Sequence, residues 1–156
     1  MFKEMVLLCA NIGEGKTTLA KQYQENGYIV IGKDSLRYGI GAGNYVYKQE
    51  YEPIIWETEI NMLDSFMNIE ADIVIDSVCV SKSMRARYIS CAKIYGYKIK
   101  CHLLPKLTMK EAVDRRMQSP HGQRDRELWE KAWIKFQAQY EEPSLDEGID
   151  EIIKTV

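Results

Sequence analysis

Residues 10–17 of the chain read Ala10-Asn11-Ile12-Gly13-Glu14-Gly15-Lys16-Thr17. An apolar run precedes this stretch at residues 3–9, and a polar, helix-permissive segment follows at 17–26. In a glycine-rich loop between a strand and a helix, backbone N–H groups curl around phosphate oxygens, and the helix dipole adds positive charge. The stretch therefore predicts a phosphate-binding loop within an α/β fold.

Individual residues of this loop suggest separate roles. Lys16 is expected to reach the β- and γ-phosphates of a nucleotide, and the Thr17 hydroxyl is expected to hold magnesium. Gly13 and Gly15 allow the backbone to approach the phosphates closely. The residues predicted to bind the nucleotide are Asn11, Ile12, Gly13, Glu14, Gly15, Lys16, Thr17 and Thr18.

Two positions depart from the usual pattern of such loops. Ala10 stands where a glycine is expected, and alanine fits there only if its φ is negative. Glu14 places a carboxylate beside the expected phosphates, so its side chain must point away from them or weaken binding.

The rest of the chain alternates between strand and helix patterns. Strands are predicted at 3–9, 28–32, 72–76, 97–104 and 149–156, and helices at 17–26, 34–38, after Pro53, 83–95, 109–118 and 125–140. A capping box of Thr108 and Glu111 begins the helix at 109. In the helix after Pro53, an apolar stripe is formed by Trp56, Ile60, Leu63 and Met67. The alternation predicts one domain, 1–156, with a five-stranded parallel sheet and helices on both faces.

The net charge of −2 hides an uneven distribution. Residues 82–126 hold 12 basic and 3 acidic side chains, and both flanking segments are acidic. The overall balance excludes a uniformly basic protein that coats nucleic acid. The basic segment can attract a polyanion, although a solvated helix face and a basic edge strand explain it as well.

Cysteine usage and hydropathy indicate the compartment. Cys9, Cys79, Cys91 and Cys101 are widely spaced without a C-x-x-C pair, so they are interpreted as small core residues rather than zinc ligands. No apolar run approaches the roughly 20 residues of a membrane span, and the N-terminus lacks a secretory signal. A reducing, cytoplasmic location without a membrane partner is expected.

The strand ends point to a transferase rather than a motor ATPase. The third strand ends Ile75-Asp76-Ser77, without the Asp-Glu pair that polarises water in motor and signalling ATPases. A transferase needs a carboxylate that takes a proton from an acceptor hydroxyl. Asp34 lies just past the second strand, at the sheet edge where ligands bind, and Arg37 follows one helical turn later to clamp an anionic acceptor. A helix N-cap at Asp34-Ser35 remains the alternative.

Several segments together resemble the kinase domain of bacteriophage-type polynucleotide 5′-hydroxyl kinases, over nearly the whole chain. They are the loop at 10–17, Gly-Lys-Asp-Ser-Leu-Arg at 32–37, Ile75-Asp76-Ser77, Arg115-Arg116 and Glu-Pro-Ser-Leu-Asp-Glu-Gly at 142–148. The resemblance implies a P-loop kinase fold with a small helical lid at about 109–126. ATP and Mg²⁺ are the implied cofactors, and the cytoplasm of a bacterial or phage-infected cell the implied setting. It implies no phosphatase activity.

The same resemblance assigns residues to the reaction. Lys16 and Thr17 match the phosphate-binding lysine and the hydroxyl after it, and Asp34 matches the general base. Arg37 matches an arginine that contacts the acceptor phosphate, so Asp34 and Arg37 form the implied acceptor site. Asp76 matches an acidic residue that supports the site and, with Thr17, the metal.

The lid arginine is left open among four candidates. Arg115 and Arg116 are favoured as the catalytic pair that neutralises the transferring phosphoryl group, and spacing does not choose between them and Arg124 or Arg126.

The expected activity is transfer of the γ-phosphate of ATP to the 5′-hydroxyl of a DNA or RNA end. One alternative is a kinase of the same fold that acts on a small molecule, a nucleoside or a modified base. A nucleotide-dependent nucleic-acid-binding module without transfer is the alternative from another class. Arg37 and the basic segment favour an acceptor that carries phosphate.

Overall fold

A computed structural model describes residues 3–118 and 125–155. Its strands are β1 (Glu4–Cys9), β2 (Ile29–Ile31), β3 (Ile73–Ile75), β4 (Lys98–Leu103) and β5 (Glu151–Lys154). Its α-helices are α1 (Lys16–Glu25), α2 (Lys33–Gly39), α3 (Glu52–Asn68), α4 (Lys82–Ile94), α5 (Met109–Gln118) and α6 (Arg126–Gln139). Short 3₁₀ turns occur at Gln49–Tyr51 and Leu145–Glu147. Part of the expected lid, residues 119–124 with Arg124, lies outside the described residues.

The five strands form one sheet in the order β2-β3-β1-β4-β5, and every neighbouring pair is parallel. In the register of the central strand, Leu7 lies beside Ile75 of β3 and Cys101 of β4. This confirms the predicted five-stranded parallel sheet. Because parallel strands end at the same edge, the segments after β1, β2 and β3 meet there.

Both faces of the sheet are covered. Met5 and Leu7 of β1 belong to the apolar cluster under α3 and α4, whereas Val6 and Leu8 pack with residues of α1 on the opposite face. All four side chains are fully buried. A strand covered on both faces shows no polar alternation, which is why β1 could be recognised from a continuous apolar run.

The predicted apolar stripe on α3 is wrong at its first residue. The inward positions are held by Ile55, Glu59, Leu63 and Met67, whereas Trp56 is 43% exposed. The buried face is turned because the Glu59 carboxylate occupies an inward position and accepts hydrogen bonds from Ser77 and Tyr88 there.

The cysteines agree with their interpretation as core residues. Cys9, Cys79 and Cys101 are buried and Cys91 is half-buried, and all four are free thiols. Within residues 3–118 and 125–155, no helix is long and apolar enough to cross a membrane.

Candidate active site

The phosphate loop joins β1 to α1 and has the backbone that its glycines allow. Gly13 and Gly15 have φ values of 71° and 101°, in the left-handed region that favours glycine. Among the described non-glycine residues, positive φ occurs only at Ala42 and Glu70. The φ of Ala10 is therefore not positive, and alanine is accommodated at this position without backbone strain.

Helix α5 of the expected lid and the following helix α6 are packed directly onto this loop. A Cβ at Gly13 would overlap the carbonyl oxygen of Ala112 in α5. Ile12 is buried in an apolar cluster with Val113 of α5 and Trp129 of α6. The capping box of Thr108 and Glu111 that begins α5 is present, as predicted. The loop and the lid therefore share one small core.

The Glu14 carboxylate points away from the nucleotide side of the loop. Its Oε1 accepts the backbone N–H of Asn11 at 2.8 Å, and its Oε2 accepts the N–H of Leu107 at 3.1 Å. Burial raises the pKa of Glu14, and the two backbone hydrogen bonds oppose that rise. Glu14 thus clamps the loop to the segment before α5.

Asn11 and Ile12, near the start of the loop, are held by hydrogen bonds that involve the Asn11 side chain. The Ile12 N–H donates to Asn11 Oδ1, and the Asn11 amide donates to the Trp133 carbonyl oxygen of α6 at 3.0 Å. Within residues 3–118 and 125–155, the N–H groups of Gly13, Gly15, Lys16 and Thr17 donate to no protein acceptor. These N–H groups are the ones placed to receive phosphate oxygens.

Lys16 lies folded across the loop. Its Nζ donates to the carbonyl oxygens of Asn11 at 2.9 Å and Ala10 at 3.3 Å. Desolvation lowers the pKa of Lys16, and Asp76, Asp34 and Glu14 oppose that change. A lysine ammonium at a loop whose backbone N–H groups lack protein acceptors suits the recognition of an anion.

Thr17 and Asp76 meet at the ends of α1 and β3. The Thr17 hydroxyl donates to Asp76 Oδ2 at 3.1 Å. Burial raises the pKa of Asp76, while Lys16 and the Thr17 hydrogen bond oppose that rise. In the described part of the chain, no group of three His, Cys, Asp or Glu residues could hold a metal by itself. One hydroxyl and one carboxylate nevertheless fit Mg²⁺, because its remaining ligands are typically phosphates and water.

Asp34 lies in the first turn of α2, directly past the end of β2. The N-cap of this helix is Gly32 and no side chain caps it, so the alternative of a plain N-cap at Asp34-Ser35 is wrong. Asp34 Oδ1 accepts from Arg37 Nη1 at 2.8 Å and from the Tyr45 hydroxyl at 3.0 Å. Its side chain is 33% exposed, so an acceptor can reach it.

Arg37 is held between two carboxylates. Besides Asp34 it contacts Glu52 of α3 through two hydrogen bonds, Nε to Oε2 at 3.1 Å and Nη2 to Oε1. Burial lowers the pKa of Arg37, but the Glu52 and Asp34 carboxylates outweigh it and the net change is a rise. The sequence analysis missed Glu52, because nothing in the spacing relates position 52 to position 37.

The structure separates the two adjacent lid arginines. Arg116 Nη2 donates to Asp34 Oδ2 at 2.9 Å, and its Cζ lies 4.4 Å from the centre of the Trp129 ring. Arg115 is exposed and lines a cavity of about 240 Å³ beside Gly15 and Thr18. Arg126 forms surface ion pairs with Asp114 and Glu130. Of the described candidates, Arg116 alone contacts Asp34.

A buried polar network supports the acceptor side of the site. Glu59 accepts from Ser77 Oγ and from the Tyr88 hydroxyl, each at 2.6 Å, and lies 3.5 Å from Lys33 Nζ. Ser77 follows Asp76, and Lys33 precedes Asp34. Glu59 thus fixes the ends of β2 and β3 relative to each other. An acidic residue at an inward helix position was the only sequence signal for it.

Comparison with solved structures places the fold among P-loop kinases. The chain is 17% identical to a chain of the "Pnkp1/Rnl/Hen1 RNA repair complex", with a TM-score of 0.69 over 88% of this chain and 45% of that one. It is 14% identical to a putative kinase from Chloroflexus aurantiacus (TM-score 0.68, 100% and 90%). It is 15% identical to shikimate kinase from Acinetobacter baumannii in complex with shikimate (TM-score 0.59, 100% and 85%). In both Pnkp1/Rnl/Hen1 structures the chain spans less than half of the matched chain.

These likenesses confirm the P-loop kinase fold that the motifs predicted. At such identities they show the fold alone. A model of the AAA domain family also matches residues 5–143, which include the phosphate loop, Asp34, Asp76 and Arg116. Since that match covers most of the sequence, the chain belongs to the AAA domain family.

Proposed function

We propose that this protein transfers the γ-phosphate of ATP to a hydroxyl group, and that its preferred acceptor is the 5′-hydroxyl of a nucleic-acid end. The observation that carries the proposal is the position of Asp34. This accessible carboxylate lies at the same sheet edge as Lys16, Thr17 and Asp76, and Arg116 of the lid contacts it. A base beside a phosphate site is the arrangement that phosphoryl transfer requires.

The residues divide the reaction between them. Asp34 accepts the proton of the acceptor hydroxyl while the hydroxyl oxygen forms a bond to the γ-phosphorus and the bond to the bridging oxygen of ADP breaks. Lys16 and Arg116 offset the negative charge on the transferring group. Thr17 and Asp76 would hold Mg²⁺, which supplies further charge neutralisation when bound with ATP.

Arg116 connects the donor and acceptor sides. Its guanidinium donates a hydrogen bond to Asp34 Oδ2. It is also near enough to Lys16 to lower the pKa of that lysine by charge repulsion. A bound triphosphate offers Arg116 a stronger anionic partner than one carboxylate. Movement of Arg116 to the phosphate removes its hydrogen bond and its positive charge from Asp34 Oδ2, so ATP binding makes this carboxylate a better proton acceptor.

A specific observation favours a second candidate, a kinase of small neutral acceptors. Arg37 is paired with both Glu52 and Asp34, so an acceptor phosphate would compete with two carboxylates for its charge. A polyol needs no such displacement. The fold likeness to shikimate kinase is compatible with this candidate.

An acceptor screen separates the candidates. ATP labelled at the γ-phosphate is incubated with 5′-hydroxyl DNA and RNA oligonucleotides, nucleoside 3′-phosphates and a panel of polyols. Label is expected on the oligonucleotides. Label on polyols alone would establish the second candidate, and ATP-dependent oligonucleotide binding without label transfer would indicate a binding module.

Substitution of Lys16 by alanine tests the phosphate loop. Loss of a positioned cation is expected to lower turnover by about 10²–10³-fold and to weaken ATP binding, as with other groups that stabilise developing charge. Titration calorimetry and the label assay measure the two effects. Lys21→Ala, at an exposed position of α1, is the matched control. Full activity in Lys16→Ala would mean that this loop does not bind the transferred phosphate.

A further inference from the structure

An aromatic surface flanked by cations lies beside the proposed acceptor site. The Trp56 ring is 43% exposed. Lys33 Nζ lies 4.2 Å from the centre of this ring and Arg87 Cζ lies 5.0 Å from it. Arg87 Nη2 also donates to the Trp56 carbonyl oxygen at 3.1 Å. We call Trp56, Lys33 and Arg87 the Trp56 patch.

Two independent connections place this patch next to Asp34. Lys33 directly precedes Asp34 in the chain, so their Cα atoms are about 3.8 Å apart. On α3, Glu52 lies one turn before Trp56 and holds Arg37, which in turn binds Asp34. Lys33 and Trp56 of the patch therefore lie on the same two helices, α2 and α3, that carry Asp34 and the Glu52 partner of Arg37.

The charge of Arg87 distinguishes it from the other arginines near the site. Arg37, Arg85 and Arg116 each pair with a carboxylate. No ion pair of Arg87 with a carboxylate occurs in the described part of the chain; its Nη1 is buried there without a hydrogen-bond partner, and the side chain as a whole is half-buried. The helix that carries it, α4, contains four basic residues and no acidic one. Of the two cations beside the exposed indole, Lys33 is thus paired with Glu59, whereas the charge of Arg87 is not paired with a described carboxylate.

We infer that the Trp56 patch binds the second nucleotide of a single-stranded acceptor, with its base stacked on Trp56 and its phosphate on Arg87. This inference rests on the proposed function. Aromatic rings that stack bases, combined with cations that track the backbone, are the usual means of binding single strands without sequence preference. The acceptor phosphate is thereby assigned to Arg87, which needs no carboxylate to be displaced, rather than to Arg37.

The kinetic test compares a 5′-hydroxyl tetranucleotide with a nucleoside 3′-phosphate. Trp56→Ala is expected to raise KM for the tetranucleotide by about 5- to 150-fold, the range typical of one lost stacking contact, with a smaller change in kcat. The preference of the enzyme for the longer acceptor should fall by the same factor. Ile54→Ala, 63% exposed on the same helix, is the matched control. An unchanged KM for the tetranucleotide in Trp56→Ala overturns the inference.

A binding test probes the Trp56 patch without turnover. The tetranucleotide is expected to quench tryptophan fluorescence, because Trp56 is exposed whereas Trp129 is buried and Trp133 packs within the lid cluster. Trp56→Phe should abolish the quenching while its ring still stacks the base. Quenching that persists in Trp56→Phe places the nucleic acid elsewhere. Absence of transfer to every acceptor refutes the proposed function, whereas this titration still decides whether the patch binds a strand.

Salt dependence isolates the contribution of Arg87. If Arg87 contacts one phosphate, Arg87→Gln should reduce the slope of log affinity against log salt by about 0.7, the value for one single-strand phosphate contact. Lys21→Gln on α1 is expected to leave the slope unchanged. An unaltered slope in Arg87→Gln removes the phosphate contact from the proposal.

Discussion

Asp34→Asn is expected to reduce phosphoryl transfer by about 10²–10⁴-fold while ATP affinity stays within a few-fold. Asparagine has nearly the same shape as aspartate but cannot accept the proton of the acceptor hydroxyl. Its amide oxygen can still accept hydrogen bonds from Arg37 or Tyr45, which bind Asp34 Oδ1 in the structure. The loss should therefore appear in kcat rather than in ATP binding. Single-turnover label transfer and ATP titration measure the two quantities separately.

The matched control for this change is Asp64→Asn. Asp64 is exposed on α3 and accepts a hydrogen bond from the Tyr95 hydroxyl, outside the proposed site. It undergoes the same loss of charge without touching the acceptor. Wild-type turnover in Asp34→Asn would remove Asp34 as the base. Loss of ATP binding together with turnover would show instead that the Arg116 contact organises the nucleotide site.

The sequence predicted the framework well because the signals for it are local. Two short apolar segments form strands that are covered on both faces, as their continuous apolar patterns predict. They are the run at 3–9 and the Ile-Val-Ile segment of β3. Ends were less exact: the last strand was predicted at 149–156 and spans Glu151–Lys154. The 3₁₀ turn Leu145–Glu147 was missed, although the Ser144–Glu147 capping box that begins it has a local sequence signature.

The central residues of the site were also predictable, for a topological reason. Lys16, Asp34 and Asp76 follow different strands of one parallel sheet, and the carboxyl ends of such strands meet at one edge. The structure brings all three together. The choice between Arg115 and Arg116 was not predictable, because it depends on which side of α5 faces α2. Only packing of the lid onto Ile12 and Gly13 settles that orientation.

Buried charges were the main failure of the sequence analysis. Glu52, Glu59 and Arg85 each sit within a helix, and no partner was predicted for any of them. Their partners lie in other elements: Arg37 for Glu52, Ser77 for Glu59, and Glu147 for Arg85. A single sequence holds no local signal for a pairing that spans 62 residues. Trp56 was misplaced for the same reason. An apolar pattern predicts that the Trp56 indole is buried and the Glu59 carboxylate exposed, whereas the structure has the reverse.

Arg85→Leu is expected to lower the free energy of unfolding by about 3–5 kcal/mol, the usual cost of removing one partner of a buried ion pair. Arg85 is fully buried, and its Nε donates to Glu147 Oε1 at 2.8 Å. It also donates to the carbonyl oxygens of Cys79 at 2.9 Å and Glu141 at 3.0 Å. Leucine fills part of the space but leaves a buried carboxylate and two carbonyl oxygens without these donors.

Urea unfolding of matched variants shows whether burial causes this loss. Arg126 likewise contacts two carboxylates, Asp114 at 2.7 Å and Glu130 at 3.1 Å, but on the surface. Because water solvates exposed charges and screens their attraction, Arg126→Leu should change stability little. Adding Glu147→Gln to Arg85→Leu should restore part of the lost stability, since a neutral amide costs less to bury than an unpaired carboxylate. Equal losses in Arg85→Leu and Arg126→Leu, at unchanged m values, would mean that the Arg85 pair stabilises the fold no more than a surface contact does.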